Sequence, residues 1–397
     1  MKDARYYIDL EKQYGANNYK PLDVVIEKGE GVWLYDVEGK KYLDCLSSYS
    51  AVNQGHCHPK ILDAMIEQAK KLTLTSRAFR NDKLPLYYEQ ICKLTNFDMI
   101  LPMNTGAEAV ETVIKAVRKW GYTTKEIESD AAEIIVCSEN FHGRTTTIIS
   151  FSTDDDSRND FGPYTDGFKV AQYGDIDSIK SLITKNTVAI MLEPIQGEAG
   201  IKIPYDGYLR DIRQICDENN ILYVLDEIQT GFGRTGRLFA FEHENIRPDA
   251  VLVGKALSGG FYPVSAVLAS KEVLQVFNPG EHGSTFGGSP LACAVAMAAL
   301  DVLVDEKLAE RSAELGAYFI DKLKTINSSV IKEVRGRGLF VAIELHVKAR
   351  NYCEKLQELG VLAKETHSNI IRVAPPLVIT KDEIDMAFDI FKTVLEN

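Results

Sequence analysis

Two residues of opposite character stand at matching places in this chain, each where a short apolar run ends. Asp226 closes ILYVL and opens the loop DEIQTGFGRTG, while Lys255 follows AVLVG, 29 residues further on, and leads into the glycine-rich ALSGGFYPVSAV. A lysine desolvated at such a point gives up its proton more readily, and its free amine can then attack a carbonyl to form a Schiff base. The aspartate can pair with a cationic ring nitrogen. Taken singly, each has a plainer reading: Asp226 as a helix cap or turn residue, Lys255 as a surface lysine with its stem folded down. Their spacing, with one strand between them, favours the chemical reading. A third element is the turn Asn104-Thr105-Gly106 before the amphipathic stretch from Ala107. Free N–H groups and the helix dipole attract an anion there, with ordinary capping as the alternative.

These groups need a scaffold. Apolar runs at 133–138, 187–193, 221–226 and 250–254 predict strands, and helical periodicity predicts helices near 60–72, 83–95, 107–121 and 207–219. Strands apolar throughout, alternating with amphipathic helices, imply an α/β domain whose mainly parallel sheet is covered by helices on both faces. Ligands of such sheets sit beyond the carboxyl ends of the strands. Upstream, residues 31–44 read as a hairpin turning at Glu38-Gly39. Beyond Pro290, helices near 290–304 and 306–325 precede strand, helix, strand and a final helix near 380–395, which suits a smaller α+β domain. RGRGL (335–339) reads as a turn within it.

Composition narrows the function classes. The 397 residues are 45% hydrophobic and 26% charged, ordinary for a globular protein. With 57 acidic against 45 basic residues the net charge is -12, which repels nucleic acid. The N-terminus has neither the apolar centre of a signal peptide nor the acid-poor character of a transit peptide, and no apolar run approaches the ~18 residues of a membrane span. A cytoplasmic protein with no membrane partner is expected. The seven scattered cysteines include no CxxC pair, so reduced thiols are expected. His56-Cys57-His58 has no second ligand cluster at zinc spacing, so no metal is expected.

The blocks YGANNYKPL, LSSYSAVNQGHCHPK, LPMNTGAEA, EPIQGEAG, LDEIQTGFGRTGR, GKALSGG, PGEHGSTFGG, RGRGL and IIRVAPPLVI follow one another over nearly the whole chain. In that order they resemble the class III aminotransferases, enzymes of fold type I that depend on pyridoxal 5'-phosphate (PLP), and within that family the ornithine-type members. The resemblance implies three parts: an N-terminal segment 1–50 packing with the small domain, a large PLP-binding domain 51–290 and a C-terminal small domain 291–397. It also implies a homodimer with shared active sites. By the same resemblance Lys255 holds the cofactor aldehyde, Asp226 pairs with the ring nitrogen, Gln229 contacts the ring oxygen and Phe141 stacks on the ring. Thr105, Gly106 and Ala107 form the phosphate turn, completed by Ser284 and Thr285 of the neighbouring subunit.

What the resemblance implies for substrates is transfer of the δ-amino group of L-ornithine to 2-oxoglutarate by a ping-pong route. The products are glutamate-5-semialdehyde, which cyclises to pyrroline-5-carboxylate, and glutamate. Tyr19 and Tyr49 would hold the ornithine α-amino group and Arg144 its carboxylate. Arg372 would take the α-carboxylate of 2-oxoglutarate, with Glu198 masking it while ornithine is bound. As plainer readings, the two tyrosines are packing residues and Glu198 with Arg372 is a structural ion pair. His142 stands where animal ornithine enzymes tend to carry Trp and acetylornithine enzymes often carry His. N-acetylornithine, 4-aminobutyrate or another ω-amino donor is therefore the alternative substrate, glutamate-semialdehyde aminomutase the alternative enzyme, and a silent PLP-fold regulator the alternative from another class.

Overall fold

The computed structural model describes residues 2–396. An N-terminal meander comprises β1 (Ile26–Glu30), β2 (Trp33–Asp36) and β3 (Lys41–Asp44), all antiparallel. The central sheet comprises β4 (Met99–Met103), β5 (Glu133–Cys137), β6 (Phe168–Ala171), β7 (Thr187–Leu192), β8 (Leu222–Asp226), β9 (Ala250–Val253) and β10 (Ser265–Ala269). Its strand order is β4-β10-β9-β8-β7-β5-β6, and β10 alone runs against its neighbours. The C-terminal part adds β11 (Ile331–Arg337), β12 (Phe340–Leu345), β13 (Val361–Leu362), β14 (Lys364–Thr366) and β15 (Ile370–Val373). Four of these make an antiparallel sheet in the order β11-β12-β15-β14, while β13 joins the meander by pairing parallel with β3. The chain is α/β, with mixed sheets carrying helices.

Both faces of the central sheet are buried, which is why its strands read as unbroken apolar runs. Ile135, Ile190, Leu225 and Val251 point into the larger core, and Ile134, Met191, Val224 and Leu252 point into a second core on the opposite face. Successive side chains thus alternate between two apolar layers. The helix Gly106–Thr123 covers the second face with Val110, Val113, Val117 and Trp120. The helix Pro290–Asp305 begins at a Ser289 cap with Pro290 in its first turn, and it packs on the helices Pro59–Ala69 and Lys83–Thr95.

The expected hairpin, the four expected strands and the long helices lie where the sequence pattern placed them, within a few residues. The sequence pattern gives no bounds for β1, β4, β6 or β10, and the C-terminal part holds five strands, β11 to β15, where two are expected. β1 is mostly exposed with a charged run (IEKGE), and β4 contains Pro102, so neither has a clear strand signature. In RGRGL the first three residues end β11, and the turn itself is Gly338–Leu339.

Among the described residues, one run of four consecutive non-glycine residues has left-handed backbone. Ser47, Ser48, Tyr49 and Ser50 all have positive φ (44°, 49°, 59° and 71°), a left-handed turn made without glycine. Such residues cost roughly 1–2 kcal/mol each, so the surroundings must hold the turn in place.

Candidate active site

Three neighbouring parallel strands each deliver a titratable side chain at the carboxyl end of the sheet. Glu193 follows β7, Asp226 ends β8, and Lys255 follows β9 after Gly254. Lys255 is held at φ 44° and its surface faces a cavity of about 460 Å³. Burial lowers its pKa, opposed by the charges of Glu198, Asp226 and Glu193. Its ammonium makes no hydrogen bond or ion pair with any described residue, so the amine is available to a ligand.

Asp226 is 4% exposed, and both of its oxygens are engaged. Oδ1 accepts the backbone N–H of Ile228 at 3.0 Å, and Oδ2 lies 2.6 Å from Nδ1 of His142. Burial works against the charged imidazole, but the bond to Asp226 and the nearby carboxylates prevail and raise the pKa of His142. Its Nε2 is buried with no hydrogen-bond partner among the described residues. Glu193 accepts the Phe141 N–H at 3.0 Å, and burial pushes its pKa up to about 8. The sequence reading assigned no role to Glu193. Its signal was the one that marked Asp226: an acid directly after an apolar strand.

The opposite wall is the start of the helix Gly106–Thr123. Thr105 and Glu108 cap it reciprocally: Glu108 takes the N–H groups of Thr105 (2.7 Å) and Asn104 (3.1 Å), and Thr105 Oγ1 takes that of Glu108 (3.3 Å). The N–H groups of Gly106 and Ala107 have no acceptor among the described residues and border the cavity. A Cβ on Gly106 would stand 3.0 Å from the Ile228 side chain, so only glycine leaves this approach open without displacement. Phe141 and Ile228 supply apolar walls, and Gln229 lies at the edge. An unpaired strand-end amine, a fixed carboxylate and two open N–H groups at a helix start suit a flat, anionic, aldehyde-bearing cofactor.

Of the residues expected at this site, Lys255, Asp226, Gln229, Phe141, Thr105, Gly106 and Ala107 border that one cavity. Ser284 and Thr285 border a different one with Arg77 and His282, although Ser284 Oγ accepts a bond from Asn104 Nδ2 at 2.8 Å. The expected substrate residues Tyr19, Tyr49, Arg144, Glu198 and Arg372 border neither of these cavities. Arg372 is 4% exposed, donates from Nη1 to Glu198 Oε1 at 2.6 Å, and places its guanidinium 4.5 Å from the Tyr49 ring centre. Burial raises the Tyr49 hydroxyl pKa; Arg372 opposes this, and Glu198 and Tyr19 add to it. Tyr19 is 73% exposed, and Arg144 lies 5.7 Å from the Phe141 ring centre without an ion pair among the described residues.

Comparison with known proteins is consistent over the full length. The profile of the family described as aminotransferase class-III matches residues 14–395. The chain belongs to the class III aminotransferases. Among curated members of that family, an ornithine aminotransferase of Brevibacillus brevis is 60% identical over 395 residues, covering 100% of this chain and 99% of that protein. Among solved class III structures, the ornithine aminotransferase of Toxoplasma gondii superimposes with a TM-score of 0.98 at 44% identity, covering 100% of this chain and 95% of that one. An acetylornithine aminotransferase of Elizabethkingia anophelis gives 0.91 at 49% identity, covering 100% and 99%. Class III enzymes work with PLP, and so does this chain. Among the described residues no helix is long and apolar enough to cross a membrane, and no cluster of ligating side chains suits a metal.

Proposed function

We propose that this chain is an L-ornithine:2-oxo-acid aminotransferase that carries the δ-amino group of ornithine to 2-oxoglutarate. The observation that carries the reading is the Glu198–Arg372 pair beside Lys255. A guanidinium closed off by a carboxylate refuses the ornithine α-carboxylate, which turns the δ-amino group toward Lys255. Opened, the same guanidinium takes the α-carboxylate of 2-oxoglutarate bidentately. One pocket then serves two substrates in turn, as a ping-pong enzyme requires.

In this reading PLP supplies a conjugated cationic ring that accepts the electron pair left when a proton leaves the substrate carbon. Asp226 keeps a proton on the ring nitrogen, with His142 fixing the carboxylate through Oδ2. Gly106 and Ala107 donate to the phosphate, Thr105 shapes their turn, and Phe141 and Gln229 contact the ring and its oxygen. Lys255 would hold the cofactor aldehyde, and its amine, when free, would take the proton from the substrate carbon that bears the reacting amino group. Tyr19 and Tyr49 hold the ornithine α-amino group and Arg144 its carboxylate. Ser284 and Thr285 act on the cofactor phosphate of a second copy of the chain, a role supported by their facing a cavity outside this chain's own site. A small domain 291–397 that carries the N-terminal segment 1–50 against the large domain 51–290 accords with the pairing of β13 and β3. The products are glutamate-5-semialdehyde and glutamate, made in the cytoplasm.

N-acetylornithine as donor is the second reading. His142 and the 49% identity to the Elizabethkingia enzyme favour it. A donor panel with the purified holoenzyme, comparing L-ornithine, N-acetylornithine, 4-aminobutyrate and L-lysine, separates the two. L-ornithine should give the highest kcat/KM; preference for the acetylated donor would overturn the assignment. Turnover sustained without any 2-oxo acid would make the enzyme a mutase.

A further inference from the structure

Arg234, in the loop after β8, is completely buried at 0% exposure. Its guanidinium is answered by neutral oxygens. Nη1 donates to the carbonyls of Leu339 (2.9 Å) and Pro375 (2.7 Å), and Nη2 donates to the Ser47 hydroxyl (2.9 Å) and the Asn53 side-chain carbonyl. Burial pulls its pKa down, with Asp44 opposing from beyond ion-pair distance. A buried charge held this way is expensive, and a core residue of similar volume would spare that cost. Its value must lie in what the four oxygens have in common.

Two of them, on Ser47 and Pro375, flank one contact. Ser47 opens the left-handed turn and stands two residues before Tyr49, and Pro375 stands three residues after Arg372. The Ser47 hydroxyl, while accepting from Arg234, donates to the carbonyl of Ala374 at 2.7 Å. On the other side Asp44 Oδ1 accepts the N–H groups of Leu46 and Ser47, both at 2.8 Å. The strained turn is therefore gripped at its entrance, and the same guanidinium grips the segment that follows Arg372. Between the two lies the Tyr49 ring against the Arg372 guanidinium.

We propose that Arg234 is a positioning residue for the carboxylate-binding end of the site, holding the left-handed turn and the segment after β15 in the register that sets Tyr49 against Arg372. The inference rests on Arg372 as the group that takes the oxo acid. Lysine at this position cannot do the same work, because one ammonium cannot present paired donors to four oxygens on separate segments.

The test is transient kinetics on holoenzyme, following the cofactor absorbance for wild type, Arg234→Lys and Ser47→Ala. The amino form of each is prepared with ornithine and then mixed with 2-oxoglutarate. Arg234→Lys should weaken 2-oxoglutarate binding about tenfold, by misplacing groups it never touches, and leave the limiting rate near wild type. Ser47→Ala should move the same way by less, and it carries the test if the arginine variant does not hold cofactor. Ornithine binding should weaken less, since Tyr19 and Arg144 also hold it. Lowered melting temperature or active fraction with unchanged 2-oxoglutarate affinity would overturn the proposal, as would an equal or larger loss for ornithine. If the wild-type amino form does not react with 2-oxoglutarate, the reading of Arg372 fails; if it reacts and both variants match it, Arg234 alone is misassigned.

Discussion

In the proposed function, the cofactor end and the carboxylate-binding end of the site are built on different principles. At the cofactor end Glu193, Asp226 and Lys255 stand at the ends of adjacent strands of one buried sheet, and the helix start at Gly106 lies across from them. Every group there is set by hydrogen-bonded strands and two apolar layers. At the carboxylate end Tyr49 comes from a strained turn, Glu198 from the loop after β7 and Arg372 from β15 of another sheet. That arrangement is carried by buried polar contacts, which can open and close in ways a packed sheet does not. On the proposed roles, fixed chemistry is placed on the rigid element, and the choice between substrates on the adjustable one.

The difference should show first in Lys255→Ala. On the proposed roles, removing the amine deletes both the covalent hold on the cofactor and the proton carrier, so kcat should fall by roughly 10²–10⁴-fold. The protein should still fold, because among the described residues the Lys255 ammonium forms no hydrogen bond or ion pair that would be lost. A near-visible cofactor band and borohydride labelling at residue 255 should both vanish. Labelling that persisted at another lysine would show that the rigid end had been misidentified.

At the adjustable end the effect should be smaller and should change sign with the substrate. Glu198→Gln keeps the shape of the side chain but weakens its hold on Arg372, now made through a 2.6 Å charged bond. Affinity for 2-oxoglutarate should rise a few-fold. Discrimination should fall, with α-amino donors such as alanine gaining activity at the expense of ornithine. Steady-state kinetics with both donors checks this, and an unchanged donor ratio would make the pair merely structural.

This contrast also governs what could be read from the residues in order. The cofactor end was legible because each group follows an apolar run, so strand periodicity and a chemical side chain coincide in one short window, as in ILYVLD and AVLVGK. Even the missed Glu193 obeys that rule, in TVAIMLE. The carboxylate end has no such window. Tyr49 and Arg372 lie 323 residues apart (372 minus 49), and the conformation that joins them, four left-handed residues without glycine, contradicts local preference. Family resemblance named those residues without explaining how they meet. Arg234 was hidden for a related reason: within GFGRTG it looks like any loop arginine, and its importance appears only when Leu339 and Pro375 close over it. The reversed direction of β10 was invisible as well, since β10 is as apolar as the strands β7, β8 and β9, which run parallel to one another.

The rigid end carries its own cost, and Glu193 measures it. Burial raises its pKa in the folded protein from the ordinary value near 4.5 to about 8. Between those two values the folded state keeps a proton that the unfolded state has released. Its contribution to stability is therefore fully present below about pH 4.5 and is lost as pH rises toward 8, at a limiting slope of about 1.4 kcal/mol per pH unit. Glu193→Gln cannot lose a proton, yet its side-chain carbonyl can still accept the Phe141 N–H now bonded at 3.0 Å. Denaturant melts of the two proteins at matched ionic strength should show the variant gaining on wild type from pH 5 to pH 8, with no further gain above. A stability difference that stayed flat over that range would mean that Glu193 is ionised throughout, and that burial at the end of β7 does not hold its proton.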